Sequence, residues 1–80
     1  MDKQTMRSKI INSFAEIAPE IEEIQIDDRT DIREQLDLDS VDMMNCIIKI
    51  EEDFSIEIEN QDYPLFMTLE GAMSFIAERV

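Results

Sequence analysis

The stretch Leu36-Asp37-Leu38-Asp39-Ser40-Val41-Asp42, running directly into the apolar-periodic residues 43–54, decides how this chain is read. An acid-rich, polar loop turns here into the strongest helical pattern in the sequence. A serine at such a junction has two uses. Its oxygen can accept a hydrogen bond from a free backbone N–H of the first turn, which makes it a cap. The positive end of the same helix also favours an attached or bound phosphate. On local grounds both roles are open for Ser40.

The helix that follows carries too many apolar residues for one stripe. Cys46, Ile47, Ile50 and Phe54 fall on one face by i, i+3, i+4 spacing, and Val41, Met44 and Ile48 fall on another. A helix apolar on two sides is either buried on both or keeps one for a partner. So short a chain makes double burial hard to arrange. The second stripe is therefore expected to meet a partner, and methionine suits an adaptable surface.

On the N-terminal side of that junction, residues 20–39 form a long connection with Ile21, Ile24, Ile26, Ile32, Leu36 and Leu38 scattered among acids. Those apolar residues predict a loop pinned over the helices, with a short turn around residues 31–35. Before it, Met6, Ile10, Phe14 and Ile17 predict a first helix over residues 2–18, stopped by Pro19. After Phe54, Ser55 marks a helix end, and Ile56-Glu57-Ile58-Glu59 reads as an extended connection with no evident partner strand. A short helical turn is expected at residues 62–66. Thr68 reads as the cap of a last helix over residues 69–79, with Leu69, Ala72, Met73, Ile76 and Val80 inward and Gly71 suggesting close packing. The expected fold is all-α: a small bundle of three main helices plus a short fourth, with a long first loop, in one domain over residues 1–80.

Eighty residues bury only about 60–65% of their unfolded surface, so one small core is expected. The net charge is −13, and between Glu34 and Asp62 ten acids face a single base, Lys49. Such a surface repels nucleic acid and anionic lipid and steers toward a basic partner. No run is apolar enough to span a bilayer. The lone cysteine, Cys46, can make no internal disulfide. These features predict a cytoplasmic protein of a reducing compartment.

The chemistry is bounded by what is missing. With no histidine, no Ser-His-acid triad or histidine-containing metal site can be built. Cys46 lies mid-helix among apolar residues and is expected to be inert. Asp37, Asp39 and Asp42 invite a calcium-loop reading, but Val41 stands fifth, Asp42 stands sixth in place of glycine, and Ile48 stands last in place of glutamate. No metal site and no self-contained enzyme are expected.

The pattern Leu36-x-x-Asp39-Ser40-Val41-Asp42, with Ile50-Glu51-Glu52-Asp53-Phe54-x-Ile56-x-Ile58 after it and a threonine-led final helix, resembles the acyl carrier protein family over nearly the whole chain. The resemblance implies that Ser40 receives 4′-phosphopantetheine from coenzyme A through a separate phosphopantetheinyl transferase, and that acyl groups ride on the arm as thioesters. It implies that Val41, Met44 and Ile48 meet partner enzymes, that Asp39, Asp42, Glu51 and Glu52 face their arginines and lysines, and that Ile58 adds an apolar contact. Partners would be acyl-transferring and acyl-modifying enzymes of fatty acid or specialised, polyketide-like biosynthesis, served by a monomeric carrier. Asp37, Ser55 and Glu59 stand where the family usually has glycine, glycine and proline, Asn45 replaces a common acid, and Lys49 adds a base. The reading from another class is an unmodified acidic module that docks through the helix beginning near Ser40.

Overall fold

The computed structural model describes residues 2–79. It contains α1 (Lys3–Ala15), α2 (Ile32–Leu36), α3 (Ser40–Phe54) and α4 (Leu69–Ala77), with 3-10 segments at Pro19–Glu22 and Asn60–Met67. No strand occurs among the described residues, and residues 56–59 are a connection without regular structure whose last residue, Glu59, is extended. The all-α bundle of three main helices with a long first loop is therefore as expected. The short turn of residues 62–66 is longer than expected, a 3-10 segment of eight residues. The turn in the first loop is a true α-helical turn, α2.

Each main helix is started by its own local chemistry. Asp2 caps α1 by accepting the Thr5 N–H at 2.7 Å, and that bond holds its carboxyl below the usual range. Thr68 caps α4 by accepting the Gly71 N–H at 3.0 Å. The first helix ends at Ala15, three residues short of the expected stop. Ile17 and Ala18 N–H both close onto the Phe14 carbonyl, and Ala18 unwinds to φ −131° because a residue before proline is disfavoured in helical geometry.

The core is built on the expected stripes, with Met43 and Phe75 added to them and Ile17 only half-buried at its edge. Met6, Ile10 and Phe14 of α1, Met43, Cys46, Ile47, Ile50 and Phe54 of α3, and Leu69, Ala72, Met73, Phe75 and Ile76 of α4 are buried together. Full burial of each large side chain is worth about 1.5–3 kcal/mol. Phe75 completes it with an edge-on contact to Phe66, ring centroids 5.1 Å apart. Val80, expected inward, lies outside the described residues. A Cβ at Gly71 would stand 2.1 Å from the Leu65 carbonyl oxygen, so the glycine is where α4 meets the 3-10 segment backbone to backbone.

The long first loop is a strap. Ile21, Ile26, Ile32 and Leu36 are buried, while Ile24 stays exposed. Its centre is tied to both flanking helices: the Asp28 carboxylate accepts the Arg7 Nε–H of α1 at 2.9 Å, and the Asp28 carbonyl accepts the Glu70 N–H of α4 at 2.9 Å. Gln35 closes the turn onto α2, accepting the Asp27 N–H at 2.8 Å and donating to the Asp27 and Thr30 carbonyls at 2.9 and 3.0 Å. The strap delivers the chain to α2 and so to the start of α3.

Candidate functional site

The residue that caps α3 is Asp39. Its Oδ1 accepts the Asp42 N–H at 2.8 Å, and the Asp42 carboxylate reaches back to the Asp39 N–H at 3.4 Å, a reciprocal capping box. Ser40 is the first helical residue, one position too late to cap. This corrects the capping role left open for it. Its side chain is exposed, and among the described residues no group hydrogen-bonds its hydroxyl. The fold makes no use of that oxygen.

The turn before it is tight. Asp37 ends α2 in the left-handed region, at φ 54° and ψ 49°. The N–H groups of Asp37 and Leu38 both donate to the Arg33 carbonyl, Leu38 at 3.1 Å, as left-handed C-caps do. The chain thereby doubles back and brings Arg33 beside the start of α3. Arg33 forks onto Asp31, Nη2 to Oδ2 at 2.7 Å and Nε to Oδ1 at 3.1 Å, and Asp31 also accepts the Arg33 backbone N–H at 2.8 Å. The guanidinium holds the Asp31 carboxyl below the usual range.

Ser40 opens onto a cleft of about 220 Å³ lined by Arg33, Met43, Met44, Ile47, Tyr63 and Met67. It is apolar apart from Arg33, Ser40 and the Tyr63 hydroxyl, and three methionines give it adaptable walls. A more open depression of about 430 Å³ is bordered by Ile56, Glu57, Glu59, Gln61, Asp62 and Arg79 and shares no residue with this cleft. An exposed, unengaged hydroxyl at the mouth of an apolar cleft, at the positive end of a helix, fits a covalently tethered phosphate-bearing group.

The second stripe of α3 is on the surface. Val41 is 62% exposed, Met44 46% and Ile48 42%. Asp39 and Glu52 are exposed beside it, and Asp42 is half-buried. Asn45 is exposed and uncharged, and Lys49 turns to Asp53 at 3.5 Å, so neither makes the stripe basic. Two residues differ from expectation. Ile58 is only 6% exposed and packs in the core, so it offers no surface contact. Glu51 is half-buried, and its carboxylate accepts the Ile58 N–H at 2.9 Å. That bond ties the connection after α3 back to the helix beside the buried Ile58.

Cys46 is fully buried on the core side of α3, and burial pushes its thiol up to about 12 from 9.0. It takes no part in the site. Sequence reasoning missed Arg33, Tyr63 and Met67, which come from α2 and the 3-10 segment. Periodicity carries no mark of a shared cleft. The sole hint was that Arg33 is the last base before the acidic half of the chain.

A family model described as a phosphopantetheine attachment site matches residues 8–70. The chain is 28% identical over 75 residues to an acyl carrier protein of Rubrobacter xylanophilus, covering 90% of this chain and 93% of that protein. It is 32% identical over 75 residues to an acyl carrier protein of Kocuria rhizophila, covering 88% and 90%. With one of Renibacterium salmoninarum it shares 30% identity over 70 residues, covering 88% and 82%. No solved structure matches the chain. Coverage of this extent, on a fold that leaves a helix-start serine exposed, makes the chain a member of the acyl carrier protein family, a carrier and not a catalyst, with a covalently attached 4′-phosphopantetheine as its implied prosthetic group.

Proposed function

We propose that Ser40 is the attachment point, loaded from coenzyme A by a separate phosphopantetheinyl transferase, and that this chain carries acyl groups as thioesters to partner enzymes. One observation carries the reading: the Ser40 hydroxyl is exposed and unused by the fold at the start of α3. No catalytic base is needed on the carrier, which agrees with a sequence that has no histidine. Incubation with coenzyme A and a broad-specificity transferase should raise the mass by one phosphopantetheine. Ser40→Ala should abolish that gain, and an unshifted mass in a folded wild-type sample would sink the proposal.

Docking runs through the Val41–Met44–Ile48 stripe, framed by Asp39, Asp42 and Glu52. Apolar contact supplies affinity there, while the acids raise the rate of encounter with basic patches and permit release. Met44→Glu or Ile48→Glu should leave the helical circular dichroism intact and cut turnover with partner enzymes. The departures at Asp37, Asn45, Lys49, Ser55 and Glu59 leave room for a specialised acyl pathway beside the housekeeping fatty-acid one. The chain acts as a cytoplasmic monomer. Among the described residues no helix is long and apolar enough to cross a membrane.

A further inference from the structure

A phosphodiester on Ser40 would place a negative charge among Asp37, Asp39 and Asp42, all within three residues. The helix end offsets this in part, but the Asp42 N–H of the first turn already serves the Asp39 carboxylate. A cation beside it would offset the remainder, and among the described residues Arg33 alone of the bases borders the cleft onto which Ser40 opens. Among the described residues the other arginines lie outside this cleft, Arg7 paired with Asp28, Arg29 with Glu70, and Arg79 stacked on Phe75. Lys49 pairs with Asp53.

The position of Arg33 is set by the backbone, since its carbonyl anchors the left-handed turn at Asp37. Its side chain is exposed, and its fork onto the half-buried Asp31 is bidentate, which fixes the plane of the guanidinium. The fork to Asp31 uses Nε and Nη2, leaving the Nη1 edge to donate. Guanidinium matches phosphate oxygens two at a time, which an ammonium does not.

Resting on the reading of Ser40 as the attachment point, we propose that Arg33 is a positioning residue that pairs with the phosphodiester on Ser40 and holds the arm over the cleft formed by Met43, Met44, Ile47 and Tyr63. The test compares loaded and unloaded forms of wild type, Arg33→Gln, Arg33→Lys and Arg29→Gln at low salt, by ³¹P NMR and thermal melting. Arg29→Gln removes the same charge from outside the cleft. The expected result is a phosphodiester resonance displaced in Arg33→Gln, partly restored in Arg33→Lys and at the wild-type position in Arg29→Gln. The change in Tm on loading should be less favourable in Arg33→Gln alone. A loaded Arg33→Gln protein with the wild-type resonance and the wild-type loading increment overturns the proposal. So does a loss of loading confined to that variant, which would make Arg33 a transferase contact instead. Failure of wild type to gain mass is the distinct result that removes the Ser40 reading itself, and this proposal with it.

Discussion

Asp39 and Ser40 are neighbours with separate tasks, and the separation is testable. Asp39 commits its carboxylate to the Asp42 N–H, whereas the Ser40 hydroxyl bonds to no group among the described residues. Asp39→Ala should therefore lower unfolding free energy by about 0.5–2 kcal/mol in urea titrations, and Ser40→Ala should stay within about 0.5 kcal/mol of wild type. At the same scale lie the two non-glycine residues with positive φ among those described, Asp37 at 54° and Ser55 at 55°. Left-handed geometry costs an L-residue about 1–2 kcal/mol, and glycine's extra chain entropy returns about 0.5–1 of that. Ser55→Gly should then stabilise by roughly 0.5–1 kcal/mol, and Asp37→Gly by less, because aspartate tolerates this region better. Denaturant midpoints will rank the two. That these positions depart from the family's usual glycine was legible in the residues; that both backbones keep the left-handed geometry anyway was not.

Among the elements, α4 shows how packing overrides propensity. Replacing Gly71 by alanine would gain up to about 1 kcal/mol of intrinsic helix propensity. The added Cβ would instead meet the Leu65 carbonyl oxygen at 2.1 Å, and neither partner is the flexible end of a side chain. Overpacking of this kind costs about 1–3 kcal/mol, so Gly71→Ala should lower the urea midpoint, and a raised midpoint would contradict the close approach. The two-sided pattern of α3 was readable in advance, because burial follows the 3.6-residue period. Cys46, Ile47, Ile50 and Phe54 went in, and Val41, Met44 and Ile48 stayed out. The burial of Ile58 was not legible, for a related reason. It lies in no regular element, so no period could place it, and its N–H is held by the Glu51 carboxylate near the end of α3.

For the whole molecule, a net charge of −13 makes self-repulsion a standing cost. Raising salt from about 10 to 200 mM, which shortens the screening length from about 30 to under 10 Å, should raise the Tm, since repulsion among the acids outweighs the few surface ion pairs. A falling Tm would put those pairs in charge. The pH profile follows from the shifted groups. Asp2 and Asp31 have lowered folded-state values, so their contribution is present above the ordinary carboxylate range and is lost as the pH falls from that range through the lowered folded values. Cys46 acts oppositely: its thiol is held protonated to about 12 in the fold, so stability is full below about 9.0 and declines above it as the unfolded thiol ionises. Thiol-reactive dye at mild alkaline pH should label Cys46 only after unfolding. The helical class, the three main helices and their inward faces, the acidic surface and the serine at the start of α3 all followed from the residues alone, because periodicity, charge and end signals are local properties. Three outcomes needed the folded chain: Asp39 and not Ser40 caps the helix, Asp28 straps α1 to α4, and Arg33, Tyr63 and Met67 share a cleft with Ser40. Those outcomes depend on which groups meet across a turn or between elements, and the order of residues along the chain does not encode such meetings in any local period.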